Sequence, residues 1–264
     1  MRQLIALCLL AASLPAVATV VGQDIEYSAD GTVLRGYLAY DDALPGQRPG
    51  VIVVHEWWGH NAYARQRANM LAGEGYVALA LDMYGAGRNT QHPEQAKAFM
   101  QAVTQQSGAV RQRFAAAREQ LARHPASDPA RLAAIGYCFG GGVVLNMARA
   151  GVDLAGVVSF HGSLGTENPA GPGEIVTPIL VLNGEADPFV PAEQVAAFKQ
   201  EMDRAGANYT YVGYPGVKHA FTNPGADRAG AQFGLPLAYD AQADQDAWLR
   251  MLNFFDRIFW RPGT

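Results

Sequence analysis

Between an apolar strand and an apolar helix, the chain reads Ile135-Gly136-Tyr137-Cys138-Phe139-Gly140-Gly141-Gly142. The run Leu132-Ala133-Ala134-Ile135 predicts a buried strand, and Val143–Ala148 predicts a helix. A nucleophile at a strand-to-helix turn, with glycines two residues before and two after, is the G-x-S-x-G pattern with Cys in place of Ser. Gly fits so sharp a turn because it has no Cβ that would clash there. The N-terminus of the following helix favours negative charge on the cysteine sulfur. We therefore predict that Cys138 is a nucleophile, the alternatives being a buried structural Cys or a nucleotide-binding glycine loop.

The first 18 residues have the composition of a secretory signal peptide. Arg2 supplies the positive charge, residues 4–14 an apolar core, and Ala16-Val17-Ala18 a small-x-small cleavage site. The apolar core is too short to span a bilayer as a stable helix. We expect residues 1–18 to be removed and the protein to be periplasmic or secreted. Residues 19–264 suffice for one large core and predict a single domain.

Cysteine content and charge narrow the possible functions. The chain of 264 residues has 2 cysteines, and only Cys138 lies outside the predicted signal peptide. A lone thiol in an exported protein indicates reactivity, since no internal disulfide can form. The formal net charge is −4 and no basic stripe is present, which argues against nucleic acid and anionic membranes as partners. We expect a monomer or weak homodimer that does not bind the membrane after processing.

Strand and helix patterns alternate along the rest of the chain. Such alternation predicts a mostly parallel sheet with helices on both faces, a three-layer α/β sandwich whose sites lie at the carboxyl ends of the strands. Strands are predicted at 25–27, 32–40, 51–54, 76–81, 132–135, 154–160, 179–182 and 209–212, and helices at 61–73, within 93–123, and at 143–148, 193–205 and 241–260.

Two acids and a histidine follow the later strands. Asp187 lies in a turn closed by Pro188, and Glu185 is the rival acid. His219 follows the last predicted strand and is the only His downstream of Asp187. The order nucleophile, acid, histidine is that of α/β-hydrolases. We therefore predict a triad in which His219 takes the thiol proton, while Asp187 orients the imidazole and stabilises its protonated form.

The loop after the predicted strand at 51–54 reads His55-Glu56-Trp57-Trp58-Gly59-His60. In α/β-hydrolases this loop supplies one oxyanion N–H and the residue after the nucleophile supplies the other, which predicts the backbone N–H groups of Trp57 and Phe139. Adjacent Trp residues suit either an apolar substrate wall or core packing. The loop opens like the zinc pattern H-E-x-x-H, but its second His comes one place late and no helix carries it. We therefore expect no metal.

With these pieces in place, the chain resembles the dienelactone hydrolase family of α/β-hydrolases. The resemblance covers roughly residues 25–260 and rests on His55–Gly59, Asp82-Met83-Tyr84, Gly136–Gly141, Gly184–Asp187 and His219-Ala220-Phe221. It implies an α/β-hydrolase fold and a Cys–His–Asp triad that hydrolyses carboxylic esters or lactones through a thioester. It also implies no metal and no organic cofactor.

The resemblance further implies a role for Glu56. In this family the matching Glu contacts the thiol and helps to deprotonate it when substrate binds. A free thiol, with a pKa of about 8.5, is only a few per cent thiolate at neutral pH. A base that acts only on substrate binding would keep the lone thiol from oxidising between turnovers.

The expected substrate contacts depart from the family pattern. Characterised members hold a substrate carboxylate with two Arg residues, one shortly after the Asp-x-Tyr strand end and one four residues after the His. Here the nearest Arg to the first position is Arg88, which is displaced, and the second position is Asn223. We predict substrate contacts from Trp58, Tyr84, Arg88 and Asn223. We expect neutral or weakly charged small esters and lactones to be turned over at least as well as dienelactone.

Two other functions fit the same residues. A thioesterase or cysteine peptidase would use the same thiolate, and a thioesterase would strongly prefer a thioester to the matching oxygen ester. A non-catalytic exported binding protein on the same scaffold is the alternative from another class, since fold does not establish function. Loss of a triad residue would favour the binding protein, and none is lost.

Overall fold

An eight-stranded sheet runs through residues 20–259, the part of the chain that this computed structural model describes. The predicted signal peptide, residues 1–18, lies outside the described residues, as does residue 260 at the predicted end of the last helix. The strands are β1 (Val20–Ala29), β2 (Thr32–Asp41), β3 (Arg48–Val54), β4 (Val77–Ala80), β5 (Ser127–Tyr137), β6 (Gly156–Phe160), β7 (Ile179–Gly184) and β8 (Tyr209–Tyr214). The helices are α1 (Ala62–Gly73), α2 (Pro93–Gln105), α3 (Ala109–Arg123), α4 (Phe139–Arg149), α5 (Ala192–Ala205), α6 (Ala226–Phe233) and α7 (Ala241–Phe259).

The strand order is β1-β2-β4-β3-β5-β6-β7-β8. β1 pairs antiparallel with β2, and β2 with β4, while all the other neighbours are parallel. The prediction of an α/β-hydrolase fold with a mostly parallel sheet is therefore confirmed. None of the described helices is long and apolar enough to cross a membrane.

Alternating side chains of the central strands bury both faces of the sheet. In β3, Val51 and Val53 pack with α1 and α7, whereas Ile52 and Val54 pack in the cluster formed with α3, α4 and α5. A period of two residues places neighbouring side chains on opposite faces, so an unbroken apolar run is what a doubly covered strand requires. The result is the predicted three-layer sandwich.

Several elements differ from the sequence prediction, among them β1, which is predicted at 25–27 and runs over Val20–Ala29. β5 begins at Ser127, five residues before the predicted run, because Ser127 and Asp128 pair with Arg48 and Pro49 before the register shifts at Gly50. The helical region at 93–123 divides into α2 and α3 around Gly108, which has a φ of 76°. Helix α6 was not predicted, because its eight residues include a glycine and carry no long apolar stripe.

The residues expected to carry function all follow strands of this sheet. The 55–60 loop leaves β3, Cys138 leaves β5, Asp187 follows β7 and His219 follows β8. Parallel strands end at the same edge, so these loops meet at the carboxyl ends of the sheet.

Candidate active site

Cys138 stands in a backbone conformation that few non-glycine residues adopt. It lies between β5 and α4 with φ 53° and ψ −114°. A Cβ on Gly136 would lie 2.0 Å from the carbonyl oxygen of Gly140, and one on Gly140 would lie 2.2 Å from that of Val54. The glycines therefore allow helix α4 to approach β3 and β5, and the neighbouring structure holds Cys138 in its strained turn.

His219 and Asp187 form a buried pair. His219 Nδ1 lies 2.7 Å from Asp187 Oδ2, and both side chains are almost fully buried. If Nδ1 donates to the carboxylate, Nε2 is free to accept a proton from a nucleophile. Glu185, the rival acid, is exposed, and a Cβ on Gly213 of β8 would meet its carboxylate. The structure therefore places Asp187, and not Glu185, on the histidine.

The surroundings of His219 favour its protonated form. Burial by itself lowers the pKa of His219, but the neighbouring Cys138 and the carboxylate of Asp187 outweigh burial and raise it to about 10. An imidazolium is therefore stable once His219 has accepted a proton. Such a group can take the thiol proton and return it to a leaving group.

The predicted oxyanion donors lie beside Cys138. Trp57, Cys138 and Phe139 line one cavity, and Phe139 is the first residue of α4. Within the described chain, the N–H groups of Trp57 and Phe139 donate to no other residue. The hydroxyl of Tyr84 donates to the carbonyl of Trp57 over 3.0 Å, and its ring centroid lies 5.8 Å from that of Phe139. Tyr84, predicted to contact substrate, thus supports the loop that carries Trp57.

Glu56 is buried, and Asn223 is its hydrogen-bond partner. Asn223 Nδ2 donates to Glu56 Oε2 over 2.6 Å, and Glu56 Oε1 is buried with no partner among the described residues. Burial raises the pKa of Glu56 to about 7, although Asn223, His219 and Arg67 oppose the rise. Asn223 therefore meets Glu56 where the sequence suggested a substrate contact.

His55 fixes the loop that carries Glu56 and Trp57. Its Nε2 lies 3.2 Å from the backbone N–H of Met83, so Nε2 accepts and Nδ1–H donates to the carbonyl of Glu56 over 2.6 Å. Burial lowers the pKa of His55 to about 4, which keeps it neutral. Across residues 20–259, no group of three or more His, Cys, Asp or Glu side chains is placed to hold a metal ion.

The other two predicted substrate contacts, Trp58 and Arg88, do not line the cavity that holds Cys138. Trp58 is buried and packs with Ala96, Ala220 and Leu237. Arg88 lines a separate cavity of about 190 Å³, where its guanidinium donates to carbonyls of its own loop, Tyr84 O and Gly85 O. The structure therefore does not bring Arg88 to Cys138.

His161, which the sequence prediction missed, lies directly beneath the elbow. The N–H of Cys138 donates to His161 Nδ1 over 3.1 Å, so His161 carries its proton on Nε2, which lies 2.8 Å from Thr222 Oγ1. Burial, together with nearby His219, holds the pKa of His161 well below its usual range. The sequence did offer a clue to His161, because it directly follows the strand β6. The other candidate site residues also follow strands of the sheet.

A buried arginine anchors this network to the helices. Arg67 of α1 donates to the carbonyl of Thr222, to Asp244 of α7 and to the hydroxyl of Tyr63. That hydroxyl lies 2.6 Å from Thr222 Oγ1. A chain of hydrogen bonds thus runs from α7 to the backbone of Cys138, and it ties the elbow to the far layer of the fold.

Cys138 and His219 open into one large cavity of about 1200 Å³. Its wall includes Trp57, Phe139 and Phe189, whose ring centroid lies 5.0 Å from that of His219. A thiol, an imidazole paired with a carboxylate, and two free N–H groups therefore meet at one cavity, and acyl transfer uses groups of these types.

Comparisons with known proteins agree with this geometry. The model of the dienelactone hydrolase family matches residues 34–259. Protein usf of Aquifex pyrophilus is 29% identical over 245 residues, covering 89% of this chain and 98% of its own. The crystal structure of a dienelactone hydrolase-like promiscuous phosphotriesterase from metagenomic libraries superposes with a TM-score of 0.84 at 32% identity, covering 92% of this chain and 99% of the other. A structure named m3DLH has the same TM-score at 37% identity, covering 90% and 98%.

Proposed function

Since this chain belongs to the dienelactone hydrolase family and is a hydrolase of carboxylic ester bonds, we propose that it acts through a Cys138–His219–Asp187 triad and a thioester acyl-enzyme. Support comes from one observation above all. A cysteine at a strained elbow shares its cavity with a histidine that pairs with a buried aspartate over 2.7 Å.

The reaction has two halves. His219 takes the Sγ proton, the thiolate adds to the acyl carbon, and the N–H groups of Trp57 and Phe139 stabilise the oxyanion. The C–O bond then breaks, and the imidazolium of His219 protonates the departing alkoxide. Water, deprotonated by His219, adds to the thioester, and collapse releases the acid and restores the thiol.

Glu56 gives the thiol a second proton acceptor in this proposal. Its buried Oε1 has no partner among residues 20–259, and a pKa of about 7 leaves both protonation states populated near neutral pH. A carboxylate with these properties is suited to taking a proton when a substrate displaces it from Asn223.

Alkylation tests the nucleophile. Iodoacetamide should add one label per mature chain, at Cys138, and abolish hydrolysis of p-nitrophenyl acetate. Cys138→Ser should keep only a trace of activity, because a hydroxyl is far harder to ionise than a thiol. Full activity after complete labelling would show that another group attacks the ester.

We also propose that the protein is exported through a cleaved signal peptide. Residues 1–18 carry a positive start, an apolar core and a small-x-small site, which together are typical of a cleaved signal peptide. Mass spectrometry of the protein recovered from the periplasm or medium should give a chain lacking these residues. A full-length chain in the cytoplasmic fraction would contradict export and leave the catalytic proposal intact.

A further inference from the structure

The active-site cavity continues from Cys138 along one side of α4. Gly142, Val143, Asn146, Met147 and Ala150 line it, and their spacing of three to four residues places them on one side of the helix. At a rise of 1.5 Å per residue, the stretch from position 138 to 150 is about 18 Å long. The cavity of about 1200 Å³ is also larger than most small-molecule sites, which hold about 300–1000 Å³. A single small lactone ring would leave most of it unfilled.

The walls of this groove are mainly apolar. Met100 of α2 and Val110 of α3 lie on the cavity with Val143 and Met147. Arg149 also reaches it, but its guanidinium is buried and bonds both oxygens of Glu201, at 2.9 and 2.8 Å. That charge is therefore already neutralised, and Arg111, also on the cavity, is exposed, so its guanidinium can stay in water. The groove therefore favours a hydrocarbon chain over an anion.

The chemistry decides which arm of the ester lies in the groove. The leaving oxygen must receive its proton from His219, so the alcohol arm lies on the side of His219 and Phe189. The acyl arm then leaves Cys138 on the side where α4 begins.

We propose, resting on the proposed function, that the substrate carries an extended apolar acyl chain laid along α4. The stretch from Cys138 to Asn146 is about 12 Å long. With carbon–carbon bonds of about 1.5 Å, an extended chain of roughly eight to ten carbons has that length. Each methylene that leaves water adds to transition-state binding, so the specificity constant rises with chain length until the groove is filled.

The test compares p-nitrophenyl acetate, octanoate and dodecanoate, each below its micelle concentration. The wild-type kcat/KM for octanoate should exceed that for acetate by at least about tenfold. Asn146→Trp, an exposed position about 12 Å along the groove, should lower the octanoate-to-acetate ratio at least about fivefold. Ala150 lies farther along α4. Ala150→Trp should therefore lower the dodecanoate-to-acetate ratio of kcat/KM more than the octanoate-to-acetate ratio. Gln200→Trp, an exposed position on α5 outside the cavity, controls for the added indole and should change neither ratio.

The outcomes separate this inference from the proposed function. A wild-type ratio near one, or ratios that neither groove variant changes, would overturn the acyl groove while acetate hydrolysis still supports the triad. Faster turnover of octyl acetate than of ethyl octanoate would assign the groove to the alcohol and overturn the acyl assignment. A protein that hydrolyses none of these esters would overturn both, because the groove is defined as the acyl site of that reaction.

Discussion

At the residue scale, His219 pairs with the buried Asp187 and shares its cavity with Cys138, and we expect the three groups to act as a unit. His219→Ala removes both the base and the acid, and we expect kcat to fall by about 10⁴ or more. Asp187→Asn should cost less, because the base stays in place with its orientation weakened. The exposed Glu185 provides the matched control, and Glu185→Gln should keep nearly full activity. A greater loss in Glu185→Gln than in Asp187→Asn would mean that the wrong acid has been assigned.

Glu56 should make stability depend on pH in an unusual direction. Burial raises its pKa from 4.5 in the unfolded chain to about 7 in the fold. Its contribution to stability is therefore full below about pH 4.5 and is lost as the pH rises through about 7, since the folded state must then bury a charge. The loss is about 3 kcal/mol at most.

Glu56→Gln tests that coupling, because the amide keeps the size of the side chain and cannot ionise. Its free energy of unfolding, measured in urea at pH 5 and pH 8, should fall less with pH than that of the wild type. Asn223→Ala removes a hydrogen bond that lowers the pKa of Glu56, so it should move the wild-type transition upward in pH. Parallel stability curves for wild type and Glu56→Gln would show that Glu56 does not titrate near neutrality.

His161 should affect turnover by holding the backbone of Cys138. Phe in its place fills the space but removes the acceptor for the Cys138 N–H, which then keeps only the carbonyl of Phe160 at 3.0 Å. For His161→Phe we expect kcat to fall about tenfold with little change in KM, and the alkylation rate of Cys138 to fall with it. His161→Asn, whose amide oxygen can accept the same bond, should recover part of both rates. Unchanged kcat in a folded His161→Phe would make the residue a packing element alone.

At the scale of elements, the elbow depends on close approach between α4 and the sheet. A Cβ at Gly140 would meet the backbone carbonyl of Val54 at 2.2 Å, and neither the strand nor the helix can yield cheaply. We expect Gly140→Ala to destabilise the protein by about 3 kcal/mol or more. Gly73, at the end of α1, has open space within 4 Å, so Gly73→Ala should be neutral or stabilising by up to about 1 kcal/mol. Urea unfolding of the two variants measures the difference, and equal stabilities would show that the helix can shift without cost.

The same elements show what local sequence can predict. The central strand β3 and the elbow were predictable because an unbroken apolar run and a glycine pair have few other structural uses. Helix α6 was not predictable, because its eight residues make only about two turns, too few for a helical period to stand out in the sequence. The bond from Asn223 to Glu56 and that from Cys138 to His161 span 167 and 23 residues, and no local pattern encodes either. Sequence reasoning therefore proposed the triad residues and missed the long-range hydrogen bonds around them.

At the scale of the whole molecule, the distribution of charge should select against anionic substrates. The chain carries a formal net charge of −4, and Arg88 lies in a separate cavity with its guanidinium bound to its own loop. Of the two arginines on the main cavity, Arg149 is paired with Glu201 and Arg111 is exposed. Among residues 20–259, Arg111 is therefore the only arginine on the cavity wall whose charge is not paired.

A charge-assisted bond to a substrate carboxylate is worth roughly 1.5–3 kcal/mol, and its absence should weaken binding of the anion about ten- to a hundredfold. We therefore expect the methyl ester of dienelactone to have a kcat/KM at least about tenfold above that of the free acid. Arg88→Ala should leave that ratio unchanged, because Arg88 lines a separate cavity and not the one that holds Cys138. Asn223→Arg should not reverse the ratio either, since an arginine there would pair first with the buried Glu56. A strong wild-type preference for the free acid would show that a cation on the cavity pairs with the substrate carboxylate. If Arg111→Ala abolished that preference for the free acid, the cation would be Arg111, the exposed arginine on the cavity wall.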